Sequence, residues 1–164
     1  MANYAQRIFA KPHGVAWVQR RKLGDSCVPT ISKSRILLDA GVFISVAHGG
    51  RVAMAAMKLA AGKATFFIAA HTFTEFYRGG KITAREAQLI NQWQPEVLFI
   101  TDAEAKLGGE LLGITGGENS MDAILVATAA FHRISEIFTT DPSDLLRLRE
   151  SREALRTIAV VDIS

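Results

Sequence analysis

Five carboxylates occupy positions from which a cation could be held. Asp39 ends the apolar run ILLDA, and Asp141 ends IFTTD with Asp144 three residues on. Asp122 opens the apolar stretch SMDAILVATAAF, and Glu75 lies within HTFTEFYRG. Like charges brought together raise one another's pKa and cost stability unless something neutralises them. A hard divalent ion does so, and Mg2+ or Mn2+ prefers carboxylate and water oxygens. The four histidines, His13, His48, His71 and His132, show no metal-ligand spacing, and an acidic set without His or Cys argues against zinc.

Each acid also has a structural use. Asn119 can cap the helix that Asp122 enters at its third position, where a carboxylate suits both the cap and the helix dipole. DPSD reads as a second start, with Asp141 as cap and Pro142 as first helical residue. Asp39 can cap the helix after it, and Glu75 can pair with Arg78 across one helical turn. Capping accounts for each acid singly but gives no reason for all of them to meet at one place.

The elements decide whether they meet. Short continuous apolar runs read as strands near 35–39, 65–70, 96–100, 136–140 and 157–163, with helical patterns over 42–61, 71–78, 83–93, 102–113, 120–132 and 142–155. Continuous rather than alternating apolar strands, separated by helices, are what a parallel sheet covered on both faces requires. The fold class is therefore α/β, doubly wound. In such sheets ligands bind beyond the carboxyl ends of the strands, where the strand order reverses. Asp39 and Asp141 would both project there, and a helix starting at that edge would bring in Asp122.

Composition sets the outer limits. The 164 residues, almost half of them apolar, suffice for one domain with a true core. Cys27 is alone, so a disulfide scaffold is excluded. No run approaches a spanning helix or a signal-peptide core, which gives the expectation of a cytoplasmic protein away from membranes. The formal charge of +3 is unevenly held: residues 1–34 carry six basic residues against Asp25, a net of +5, while the remainder carries 13 basic and 15 acidic, a net of −2. Residues 1–34 lack a sustained period and read as a basic, weakly ordered extension. Within it a short helix over 15–21 and the cluster QRRK stand out. The domain proper is expected over 35–164.

Taken in order, ILLDAGVFI, TEFYRG, NSMDAILVATA and IFTTDPSDL resemble the PIN-domain ribonucleases, and most nearly the VapC toxins of bacterial toxin–antitoxin pairs. The likeness runs from about Ile36 to the C-terminus. It implies a three-layer α/β/α domain around a central parallel sheet, with an acidic pocket for Mg2+ or Mn2+. Asp39, Glu75, Asp122 and Asp141 match the four family acids and are the expected catalytic set; Asp39, Asp122, Asp141 and Asp144 are the expected metal contacts. Thr140 falls where the family carries a small residue that helps to fix the site. Two positions depart from the pattern: Ala40 stands where a hydroxyl usually follows the first aspartate, and Asn119 where related toxins often have another acid.

What the resemblance implies for function is cleavage within RNA chains by metal-assisted hydrolysis, with Glu75 orienting a water. An acidic pocket must still admit a polyanion, so nearby cations are needed; Arg78, Lys81 and Arg85 follow Glu75 and are the expected RNA-binding residues. The family likeness further implies a small VapB-like antitoxin and a homodimer, for which the Ala- and Met-rich helix from Val52 to Gly62 offers a face. Two other functions compete: a non-catalytic PIN-like binding or regulatory module, and a housekeeping RNA-processing nuclease.

Overall fold

The computed structural model describes residues 33–77 and 82–164. The leading segment, with its QRRK cluster and the helix expected over 15–21, lies outside the described residues, as do Arg78 and Lys81.

Five strands form one parallel sheet: β1 (Ser34–Leu38), β2 (Ala64–Ala69), β3 (Glu96–Leu98), β4 (Glu136–Thr139) and β5 (Ala159–Asp162). Their spatial order is β3-β2-β1-β4-β5, so the chain winds outward through β2 and β3, then returns to the other side of β1. The reversal falls between β1 and β4. Seven helices cover the described sheet: α1 (Ala40–Ala47), α2 (Arg51–Ala60), α3 (Phe73–Phe76), α4 (Ala84–Trp93), α5 (Asp102–Thr115), α6 (Ser120–Phe131) and α7 (Ser143–Glu150).

Strand alternation divides the core into two layers. Ile36, Leu38, Phe66, Ile68 and Phe138 pack with Phe43, Met57, Phe76 and Leu89 beneath α1 to α4. Leu37, Phe67, Ala69 and Ile137 point the other way, onto Leu107, Leu111, Val126 and Leu145 of α5, α6 and α7. Because successive strand side chains leave opposite faces, a strand buried on both must be apolar at every position. That is the three-layer α/β/α sandwich, and it is why the central strands β1, β2 and β4 read as unbroken apolar runs, whereas the edge strands β3 and β5 are exposed or half-buried.

Three helices differ from the sequence expectation, one of them the pattern over 71–78, which is a 3-10 turn, Ala70–Thr72, followed by the short α3. The pattern over 42–61 is not one helix but α1 and α2 with a corner between them. Gly49 takes φ +88, and Gly50 N–H donates to Ser45 O at 2.7 Å. A Cβ on Gly50 would lie 2.1 Å from Ser45 Oγ, so the close approach requires glycine there. The pattern over 142–155 likewise breaks into α7 and a 3-10 turn, Glu153–Leu155. Among the described residues no single helix is long and apolar enough to cross a membrane.

Candidate metal centre

The carboxyl ends of β1 and β4 bring two of the acids together. Asp39 follows β1 directly and caps α1, with its Oδ1 accepting from Ala40 N–H at 2.7 Å. Its Oδ2 accepts from Thr139 Oγ1 at 2.8 Å. The same hydroxyl accepts from Asp141 N–H at 3.0 Å, so one fully buried threonine ties both acidic segments across the strand gap. This residue is not the one expected to do so. Thr140 lies against Gly41 instead, where a Cβ would meet its hydroxyl at 2.2 Å and Asp39 Oδ2 at 3.7 Å. Ala40 contributes its backbone N–H to Asp39 and no side-chain hydroxyl.

Asp122 enters from α6. Asn119 is the N-cap, accepting from Asp122 N–H at 3.4 Å while its Nδ2 donates to Asp122 Oδ2 at 2.7 Å. The expected cap is therefore present, and it also fixes the carboxylate. Asp141 is not itself a cap: α7 starts one residue later, with Pro142 in that place. Asp144, in the first turn of α7, has Oδ1 paired to Arg147 Nη2 at 2.8 Å. Glu75 projects from the short α3 and is exposed. Arg85 is exposed too, and its guanidinium is hydrogen-bonded to Gln88 on its own helix.

Electrostatics show that the five acids share one neighbourhood. The Asp122 carboxyl is pushed up to about 7, first by burial and then by the charges of Asp39, Asp144, Asp141 and Glu75. Asp39 is raised as well, by burial above all, with the bonds from Thr139 and Ala40 pulling the other way and Asp141 adding repulsion. His71 stands close by, hydrogen-bonded to the Met121 carbonyl, and burial lowers its pKa so that it adds no positive charge at neutral pH.

Oxygen-only donors fit Mg2+ or Mn2+ and not a soft or borderline metal. Among the described residues no three His, Cys, Asp or Glu side chains are drawn into a ready-made ligand shell. An open set suits Mg2+, which keeps several waters and takes one or two protein carboxylates directly.

Similarity to known proteins agrees with this fold. The PIN domain model matches residues 36–160. Among solved structures, "Toxin-antitoxin complex from Klebsiella pneumoniae" superposes with TM-score 0.59 at 23% identity, covering 79% of this chain and 98% of that one. "Crystal Structure of FitAcB from Neisseria gonorrhoeae" gives TM-score 0.57 at 16% identity over 77% and 96% of the two chains. The VapBC2 structure from Rickettsia felis, bound to a DNA fragment from their promoter, gives 0.59 at 13% over 79% and 99%. No significant match was found among curated protein sequences. The family model spans the chain from Ile36, the first buried residue of β1, into β5, taking in all five acids, and on that footing the chain belongs to the PIN domain family.

Proposed function

We propose that the protein is a metal-dependent endoribonuclease acting as the toxin of a toxin–antitoxin pair. One observation carries the nuclease reading: Asp122 feels the charge of Asp39, Asp141, Asp144 and Glu75 together, at the edge where the strand order reverses. Structural similarity to proteins whose titles name toxin–antitoxin assemblies supports the toxin reading.

In this reading Asp39, Asp122 and Asp141 hold Mg2+ or Mn2+, directly or through water, and Asp144 stands beside them. When bound, such an ion polarises a phosphodiester and lowers the pKa of its water. The chain's own residues do the rest. Thr139 keeps Asp39 Oδ2 and the Asp141 backbone in one register. Asn119 holds Asp122 Oδ2. Glu75, from the opposite helical layer, orients the attacking water and receives its proton at a carboxylate oxygen. A VapB-like antitoxin, a homodimer and a cytoplasmic setting belong to the same reading. Val52 and Leu59, exposed on α2 at 55% and 71%, support use of that helix face by a partner.

The test is cleavage of a labelled total-RNA pool in Mg2+, Mn2+ or EDTA, comparing wild type with Asp39→Asn. Metal-dependent cuts that vanish in the variant are the expected result. Folded, inhibitor-free protein that cuts nothing would leave the non-catalytic binding module as the better account.

A further inference from the structure

A polyanion entering an acidic site needs a cation at the point of entry, and Arg85 is held along its own helix by Gln88. Several other described cations pair with acids outside the candidate site. Arg149 and Arg156 pair with Glu150, Arg152 with Glu110, and Lys106 with Asp102. Arg35 stacks on Phe67 and donates to the His132 carbonyl, at the amino-terminal end of β1 and so away from the acids.

Arg147 is placed differently. Its Nη2 is 2.8 Å from Oδ1 of Asp144, one of the acids that raise Asp122. The same nitrogen lies beside the Gly116–Gly117 turn that leads into α6, where a Cβ on Gly117 would stand 3.0 Å away. The guanidinium thus sits between the segment delivering Asp144 and the segment delivering Asp122. Both partners of the pair are about half exposed, at 47% and 41%. An exposed, single-contact pair of this kind holds weakly. A phosphate can offer a guanidinium two parallel contacts, which is the stronger arrangement.

We infer that Arg147 binds a backbone phosphate of the RNA at the rim of the metal centre, exchanging Asp144 for phosphate oxygens as the strand enters. The exchange would leave Asp144 without its Arg147 partner and so available to the metal that the acids would hold. This rests on the nuclease reading above, and the contact is to the phosphodiester rather than to a base or to the 2′-hydroxyl.

The experiment is fluorescence anisotropy of a short labelled random-sequence RNA in EDTA, over a salt series, with full-length wild type, Arg147→Gln and Arg147→Lys. Arg147→Gln is expected to weaken binding about tenfold at low salt, the loss of one charged hydrogen-bonded contact. It should flatten the log–log salt slope by about 0.7, the share of one phosphate on a single strand. Arg147→Lys should retain the slope, and a single-stranded DNA of the same sequence should lose affinity in parallel. Mn2+ affinity measured by calorimetry should be unchanged or tighter in Arg147→Gln, because Asp144 has lost its competitor. Unchanged RNA affinity and slope in Arg147→Gln would overturn the assignment, as would a binding loss seen only with Mn2+ present and matched by weaker Mn2+ binding. If wild type cuts RNA while Arg147→Gln binds it equally well, this inference alone fails. If wild type neither binds nor cuts, the nuclease reading fails with it.

Discussion

Thr139 shows how much of the site hangs on one hydroxyl. It is buried, it donates to a charged carboxylate, and it receives the N–H of a second acidic residue. Thr139→Val keeps the volume and removes the hydroxyl, leaving one oxygen of Asp39 without its donor and the Asp141 N–H without its acceptor. A cost of about 1–3 kcal/mol is expected from leaving such groups unsatisfied, measured by urea denaturation. RNA cleavage should fall at least tenfold, an expectation set by misplacing a metal contact. Thr139→Ser should restore most of the activity while remaining slightly less stable. Equal cleavage by Thr139→Val and wild type would show that the hydroxyl serves packing only. Nothing in the sequence marks this residue's role, because the contact spans 100 positions and exists only once β1 and β4 are neighbours. Asp39, Asp122 and Asp141 were visible because each stands at the end of an apolar run, where a buried element meets solvent. Arg147 is three residues from Asp144 on one helix, a spacing that is common and says nothing by itself about an acidic site.

At the scale of elements, the central strands β1, β2 and β4 were legible because burial on both faces leaves a continuous apolar signature. Helix corners were not. The run from Val42 to Ala61 keeps a helical apolar period throughout, and only the double glycine at Gly49-Gly50 marks the turn. Two substitutions separate glycines required by geometry from those that are incidental. Gly50→Ala brings a Cβ within 2.9 Å of the Ser45 carbonyl oxygen as well as onto its hydroxyl, and backbone cannot move aside as a side-chain tip can. Destabilisation of about 1–3 kcal/mol is expected, as for other overpacked sites. Gly109, inside α5, has open space where its Cβ would go. Gly109→Ala should therefore stabilise by up to about 1 kcal/mol, through helix propensity. Thermal unfolding of both variants is the check, and a reversed order of melting temperatures would refute the placement of the α1–α2 corner.

For the whole molecule, the raised Asp122 couples folding to protons and to metal. Its carboxyl binds a proton up to about 7 when folded but only near 3.8 when unfolded. Between these values the folded state holds the extra proton, so this contribution to stability is complete below the lower value and disappears as pH rises through the upper one. Asp39 acts in the same direction. In EDTA, the melting temperature of wild type relative to Asp122→Asn should fall from about pH 5 to about pH 8. Mn2+ should raise wild type more at the higher pH, where protons no longer compete for the carboxylates. A difference that rises with pH in EDTA would mean that the acids are not near one another. The position of Asp39 carries a further consequence, one of time rather than energy. It follows β1, the middle strand, hydrogen-bonded on both sides, and its own N–H donates to the Phe138 carbonyl of β4. Central strands open to solvent exchange only with the entire domain, whereas edges fray many times before that. The amides of Asp39 and its strand should thus be among the last to exchange in deuterated water, so that half of the acidic centre stays assembled for as long as the chain remains folded.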